Sequence, residues 1–406
     1  MKKTLLAAAL MAGFAGVAHA ETSVTLYGIL DGGIGYQKAS GNSSYATNRG
    51  DATEFSSKKT GLINGVQSGN RWGLKGSEDL GDGLRAVFQL ESGFDLGTGE
   101  SGQGGRLFGR QATLGLAGDS WGQLDLGRQT NIASKYLPGV ADPFGGGFGQ
   151  ANIGASFSSA NTVRYDNMVM YQTPNFSGFQ FGVGYSFNGD RAQYWDSQVP
   201  AFDGNGNRIE ANTKDLNRQA VTAGLRYANG PIGLALTYDQ IRQRGLSYDA
   251  ESKVYNYSEG EDTTVKAWNI GGSYDFEVVK AYLAFGQARN GIFAGQDFGT
   301  LKSANAGIIG KGFKANNYLV GLSAPVGAGS LMASWQLSDA RGTPDSWDQA
   351  GQPEREVKKQ HVYSLGYSHP ISKRTNVYAI GSYAKNVNYL PDAKSTLVGV
   401  GLRHQF

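Results

Sequence analysis

Across residues 22–406 the chain repeats one device: a short segment of period-two alternation, a turn of a few residues, another such segment, then a much longer polar connection. Alternation at period two puts successive side chains on opposite faces of a strand. GLRAVFQLES shows it plainly, with Leu84, Ala86, Phe88 and Leu90 on one face and Arg85, Gln89 and Glu91 on the other. In NTVRYDNMVMYQ, Val163, Tyr165, Val169 and Tyr171 oppose Arg164, Asp166 and Gln172. About sixteen such segments are expected, from 22–37 through 68–80, 83–96, 106–118, 122–129, 161–174 and 178–187 to the final 395–406. The long connections, including 38–67, 130–160, 188–217 and 342–358, all fall on alternate sides of the short turns. One end of the sheet therefore carries all the loops. Strict alternation of long and short connections around an even number of antiparallel strands is the pattern of a transmembrane β-barrel.

The alternation itself does not say which face is inside, because a soluble barrel and a membrane barrel differ only in inverting it. Three other features favour the membrane form. The chain opens with MKKTLLAAALMAGFAGVAHA, a charged start (Lys2, Lys3), an apolar run and an Ala-His-Ala end. That is the pattern of a secretory signal peptide over 1–20, with cleavage expected between Ala20 and Glu21. The remaining 21–406 are read as a single barrel domain. An exported chain without Cys has no disulfides to lean on. Its stability must then come from hydrogen-bonded sheet and burial. Tyr, Trp and Phe recur near segment ends, as interfacial girdles require. In lipid every backbone polar group must be paired, so the sheet has to close. STLVGVGLRHQF is accordingly expected to pair with 22–37, leaving Phe406 at the membrane boundary.

Other classes find little support. Mean hydropathy is −0.36, and no apolar run after residue 20 is long enough for a spanning helix. Removing Lys2 and Lys3 takes the formal charge from +3 to +1, which gives no reason to expect nucleic acid. The mature chain has only His361, His369 and His404, and no Cys, so metal or thiol chemistry has almost no ligands. GGGFG and SGQGG lack the strand-then-helix context of a phosphate loop. No catalytic constellation, cofactor or metal is implied.

ETSVTLYGILDGGIGY, RWGLKGSEDLGDGLRAVFQLESGFDL, the pair LFGRQATLGLAG and GQLDLGRQ, and the terminal Phe resemble the general porins of Gram-negative bacteria. The likeness is strongest to the trimeric porins of the Neisseria, Bordetella, Burkholderia and Comamonas type, and it spans essentially all of 21–406. It implies an all-β, sixteen-stranded antiparallel transmembrane barrel of the outer membrane and assembly as a homotrimer through its N- and C-terminal strands. It also implies a third long loop folded into the lumen as a constriction. Here that loop is 130–160, with ADPFGGGFG where the family often carries a Pro-Glu-Phe-Gly-Gly-like stretch; this chain has Asp142 before Pro143 and no Glu after it.

If loop 130–160 narrows the lumen, the charges facing one another at that depth set ion preference. By parity Arg71, Lys75, Arg85 and Arg164 are expected on the lumen wall. The resemblance adds Arg110 and Arg128, whose parity runs with Leu114 and Leu126, so a register break near the rim is required. The facing acids are expected to be Asp142, Glu91 and Asp166. Basic groups outnumber acidic ones, which predicts weak anion preference; the alternative role for any one Arg is a wall-stiffening pair with a carboxylate. The expected function is passive diffusion of ions and small hydrophilic solutes through a water-filled channel. The rival readings are a solute-specific channel and a non-conducting structural or adhesive barrel.

Overall fold

In a computed structural model, residues 23–42, 54–203, 205–243, 246–249, 254–257, 262–301, 310–345 and 357–406 are described. The expected signal peptide, 1–20, lies outside them. The wall is built from β1 (Ser23–Asn42), β2 (Glu54–Asn64), β3 (Arg71–Gly81), β4 (Leu84–Gly93), β5 (Gln111–Gly118), β6 (Gly122–Thr130), β7 (Arg164–Gln172) and β8 (Phe179–Ser186). It continues, after the loop strands β9 (Gln198–Phe202) and β10 (Arg208–Asn212), with β11 (Ala220–Asn229) and β12 (Ile232–Gln243). A second loop hairpin, β13 (Leu246–Asp249) and β14 (Val254–Tyr257), precedes β15 (Thr263–Asp275), β16 (Lys280–Arg289), β17 (Lys314–Val326), β18 (Gly329–Gly342), β19 (Gln360–Pro370), β20 (Thr375–Lys385) and β21 (Lys394–Gln405).

Each wall strand pairs antiparallel with its neighbours, and β21 closes on β1, with Ile29 facing Gln405 and Ser40 facing Lys394. Seventeen strands fill sixteen positions, because β2 and β3 share one. β1 pairs with β3 over Ser23–Ile29 and with β2 over Gly32–Asn42. Within the stretch 38–67, expected to be a loop, 38–42 and 54–64 are wall, and the segment 65–70 separates β2 from β3. The expected strand at 106–118 begins only at Gln111. The connections 188–217 and 244–261 also carry structure of their own. β10, β9, β14 and β13 form a small separate sheet, whose sequence was too polar to be read as strand.

The faces sort as a membrane barrel requires. Ile34, Leu234, Leu283, Val400 and Leu365 point outward with half or more of their surface exposed. Inward residues of the wall are polar and buried: Thr222, Asn269, Gln336, Ser338 and Ser395. Aromatic pairs mark both ends of the outer surface. Trp268 lies 5.3 Å from Phe285 and Phe285 5.1 Å from Tyr318 near the loop end. Trp121 and Tyr171, 6.5 Å apart, and Phe179 and Tyr227, 4.5 Å apart, lie near the turn end. Such belts sit where water meets hydrocarbon.

Candidate functional site: a basic wall facing an inserted loop

The connection 130–160 does not stay outside. Its first turn, α1 (Ile132–Tyr136), is capped by Asn131, whose side chain accepts from the Ser134 N–H. A second turn, α2 (Pro138–Ala141), follows. Ile132, Leu137, Val140, Ile153 and Phe157 are buried in one apolar cluster with Met168, Met170, Ala235 and Leu319 of the wall. Glycines at Gly182, Gly224, Gly233, Gly271 and Gly321 make room for this, since a Cβ at each would press on the loop. Beyond α2, Phe144 and Phe148 cross to the opposite wall and pack on Met332, Tyr378 and Ile380. The loop thus spans the lumen.

Asp142 holds its tip together. The buried carboxylate accepts from the backbone N–H groups of Phe144 (3.0 Å), Gly146 (2.9 Å) and Ile153 (3.0 Å). Burial pushes its pKa up to about 6 despite those three donors. The expectation that Asp142 faces the basic wall is corrected. Its oxygens turn into the loop, because the turn at 142–146 has more orphan N–H groups than any backbone carbonyl can satisfy.

What remains open is a cavity of about 590 Å³ between the loop and the wall that carries Arg71, Arg110, Arg164 and Arg403. Each of the four guanidinium groups is fixed through Nε. Arg71 donates to Gly69 O (2.9 Å), Arg164 to Arg110 O (3.0 Å), Arg403 to Ser68 Oγ (2.9 Å) and Arg110 to Glu91 Oε1 (2.6 Å). Glu91 also accepts from the Tyr27 hydroxyl at 3.0 Å, and Arg71 Nη1 lies 3.9 Å from it. The only acid the cavity itself is lined by, among the described residues, is the exposed Asp297.

Asp166 stands apart, clamped by two arginines. Arg106 Nη1 reaches both of its oxygens at 2.9 and 2.8 Å, and Arg128 Nη1 reaches Oδ1 at 2.5 Å. A register break lies in this ladder, on the β7 side. Gly127 faces Met168 but Gln129 faces Tyr165, so β7 carries one extra residue there, with Asn167 at φ 47°. Gly127, at φ 119°, has Ala112 O where a Cβ would stand, so only glycine fits. Arg110 escapes its parity differently, by preceding the first residue of β5.

Two other expected residues lie elsewhere. Lys75 is on the inner face nearer the turns, with Nζ 5.6 Å from the Tyr27 ring centre, in a chamber of about 280 Å³ shared with Gln89, Thr113 and Asp125. Arg85 is corrected: it sits beside the turn 81–83, half-buried, and donates to Asp119 Oδ1 at 2.7 Å. Parity chose the right face for it but carried no information about height along the barrel. Parity also held the signal for Arg403, the inward member of the last strand, which the reading of charges passed over. Arg106 was hidden by the assumption that 106–110 is strand.

An inverted barrel of sixteen positions, crossed by a loop that faces a charged wall, has the architecture of a bacterial diffusion channel. Residues 7–389 match the Gram-negative porin family. The chain belongs to that family. Along its full length this porin is 53% identical to the whole of an outer membrane porin protein of Bordetella pertussis. It is 29% identical, again over all of both chains, to outer membrane porin protein 32 of Delftia acidovorans. Among solved structures, the anion-selective porin from Comamonas acidovorans superposes with a TM-score of 0.63 at 26% identity, covering 95% of this chain and 100% of that one. This porin is thus an outer-membrane channel protein whose wall closes over sixteen strand positions.

Proposed function

We propose that this porin passes ions and small hydrophilic solutes by passive diffusion, with a weak preference for anions set at the opening between loop 130–160 and the arginine wall. The observation that carries the preference is the cluster Arg71, Arg110, Arg164 and Arg403, held by Nε and met by Glu91, by Asp297 and, behind Arg403, by the buried Asp31. Anchoring through Nε fixes each fork at the opening, where Arg164 Nη1 also donates to Thr162 O at 3.4 Å and Arg71 Nη1 lies 3.9 Å from Glu91. A low-dielectric wall focuses the resulting field into the opening, so four fixed charges outweigh the near-zero net charge of the chain. The likeness to an anion-selective porin supports the same sign. The functional unit in this reading is a homotrimer in outer-membrane lipid, joined near the N- and C-terminal strands, after removal of 1–20 between Ala20 and Glu21.

The test is single-channel current of purified protein in a planar bilayer under a salt gradient. Steps in groups of three, with a reversal potential on the anion side, support the proposal. A reversal potential on the cation side overturns the assigned preference, and silence from folded barrels overturns the open channel. Sequencing the mature N-terminus tests the cleavage site.

A further inference from the structure

Toward the turn end from the arginine opening, the inner wall carries a second place with chemistry of its own. Thr25, Lys75, Gln89 and Thr113 face one another in a row across β1, β3, β4 and β5. One row nearer the turns stand Ser77, Val87, Gly115 and Asp125, across β3 to β6. These rows line the chamber of about 280 Å³, at the small end of the range of about 300–1,000 Å³ for ligand clefts. Lys75 follows Arg71 on β3 at a distance of about 14 Å along the strand. A solute that leaves the opening toward the turn end passes this chamber next.

The charges of the chamber do not cancel. Lys75 is exposed to the lumen, lies over the Tyr27 ring and forms no ion pair among the described residues. Tyr27 stands between it and Glu91, since the phenol accepts from Gln89 Nε2 at 2.6 Å and donates to Glu91 Oε2 at 3.0 Å. Asp125, the only acid lining the chamber among the described residues, is already engaged. It leans across Gly115, with Oδ1 where a Cβ would stand, and takes Gln123 Nε2 on both oxygens at 2.8 and 2.9 Å. Lys135 of the inserted loop, which donates to Gln129 Oε1 at 3.0 Å, is close enough to offset its charge. One ammonium, that of Lys75, is left over.

Beside that ammonium the wall offers acceptors. The amide nitrogens of Gln89, Gln111 and Gln123 are spent on Tyr27, on Thr113 Oγ1 at 3.2 Å and on Asp125. The carbonyl oxygens of the same three amides receive no hydrogen bond among the described residues. An amide anchored through nitrogen still has its oxygen to accept with. One unbalanced cation next to a set of acceptors fits a ligand with one negative group and several O–H donors. A simple anion would use the lysine alone, and a neutral sugar the amides alone.

We infer that this chamber is a second solute station and binds a small polyhydroxylated carboxylate, its carboxylate on Lys75 and its hydroxyls on the amide oxygens of Gln89, Gln111 and Gln123. The station rests on the channel reading for the route by which the solute arrives.

The test is equilibrium dialysis of the full barrel in detergent against radiolabelled D-gluconate. Hexanoate and sorbitol serve as competitors, each carrying one half of its chemistry. Unlabelled gluconate is expected to displace the label at a concentration roughly tenfold below that of either, a comparison that needs no variant. Lys75→Gln should weaken gluconate binding roughly tenfold, while Lys75→Arg, which keeps the charge, should bind nearly as well as wild type. Gln111→Met should weaken it several-fold. Displacement by hexanoate as effective as by gluconate overturns the inference, because any carboxylate then suffices. Equally effective displacement by sorbitol overturns it too, because the lysine then plays no part. A loss in Arg164→Gln as large as in Lys75→Gln assigns the ligand to the arginine opening and overturns it as well. None of these measurements needs current. A barrel that binds gluconate but stays silent in a bilayer therefore defeats the channel reading and leaves the site standing. One that conducts potassium chloride and binds no gluconate defeats this inference alone.

Discussion

The backbone N–H of Ser68 donates to Asp31 Oδ2 at 2.6 Å, and this bond fastens the break in the second wall position to the first strand. Asp31 takes the Tyr378 hydroxyl on its other oxygen at 2.7 Å, while its own N–H donates to Asn70 Oδ1 at 2.6 Å. The segment 65–70 so held presents Ser68 Oγ to Arg403 and Gln67 O to the Phe148 N–H of the inserted loop. One buried carboxylate therefore positions an arginine of the wall and the tip that faces it. Asp31→Ala should leave two buried donors unsatisfied, at about 1–3 kcal/mol each. The expected outcome is a lower thermal midpoint together with noisier, larger single-channel steps. A loss of stability with unchanged conductance would restrict Asp31 to a structural part.

Ion preference should respond to height along the barrel and not to charge alone. Arg71→Glu with Arg164→Glu reverses two of the four charges at the opening, so the reversal potential should move toward cations. Arg85→Glu makes the same change beside the turn 81–83 and should leave it nearly where it was. Both are best measured below 0.1 M salt, where the Debye length is about 10 Å or more and charges at the opening are least screened. Equal shifts in the two proteins would mean that bulk charge, and not the constriction, sets selectivity.

Deleting 143–149 removes the part of the loop that crosses to Met332 and Tyr378. Conductance should rise and larger neutral solutes should pass, as read by swelling of liposomes loaded with graded sugars. An unchanged size limit would place the narrowest point elsewhere.

Asp142 gives a pH dependence of definite sign. Its carboxyl holds a proton up to about pH 6 in the folded loop and to about 3.8 when unfolded. The folded protein thus binds more protons through that window, so stability is gained as pH falls through 6 and is fully present below about 4. It is lost again as pH rises, by an amount on the order of 3 kcal/mol for this group. Asp142→Asn should flatten that part of the curve of melting temperature against pH. The same slope in both proteins would show that other groups dominate it.

Much of the wall was legible because a strand pair in lipid leaves so little freedom. Val398, Val400 and Leu402 alternate with Gly399, Gly401 and Arg403, and the same alternation recurs in 22–37, the partner with which the last strand pairs. Which charges meet was harder to read, since parity names a face and is silent on height and on bulges. Arg85 and Arg164 are equivalent by parity, yet one lies by a turn and the other at the opening. Arg128 meets Asp166 where β7 carries an extra residue at Asp166–Asn167, and no period in the β6 sequence records an insertion in β7. Asp142 was misplaced for a further reason: an acid in a glycine-rich loop reads as solvated until its three backbone donors are known.

The closing seam ends on Phe406. Its N–H donates to Gly28 O at 3.1 Å and its carbonyl accepts from the Gly28 N–H at 3.0 Å, so the last residue completes the ladder between β21 and β1. The ring lies over Gly28, in the space where a Cβ would stand, and keeps 44% of its surface exposed at the turn end. Removing Phe406 takes away two backbone bonds at an edge that lipid cannot hydrate, and unpaired groups there are costly. The expected outcome is reduced yield of folded, membrane-inserted oligomer, with export of the chain unaffected. Gly28→Val should reproduce the defect with Phe406 still present, by displacing the ring. Wild-type yield from the deletion, measured as heat-resistant oligomer on a gel, would show that closure is already secure at Gln405 and that the terminal aromatic is dispensable to assembly.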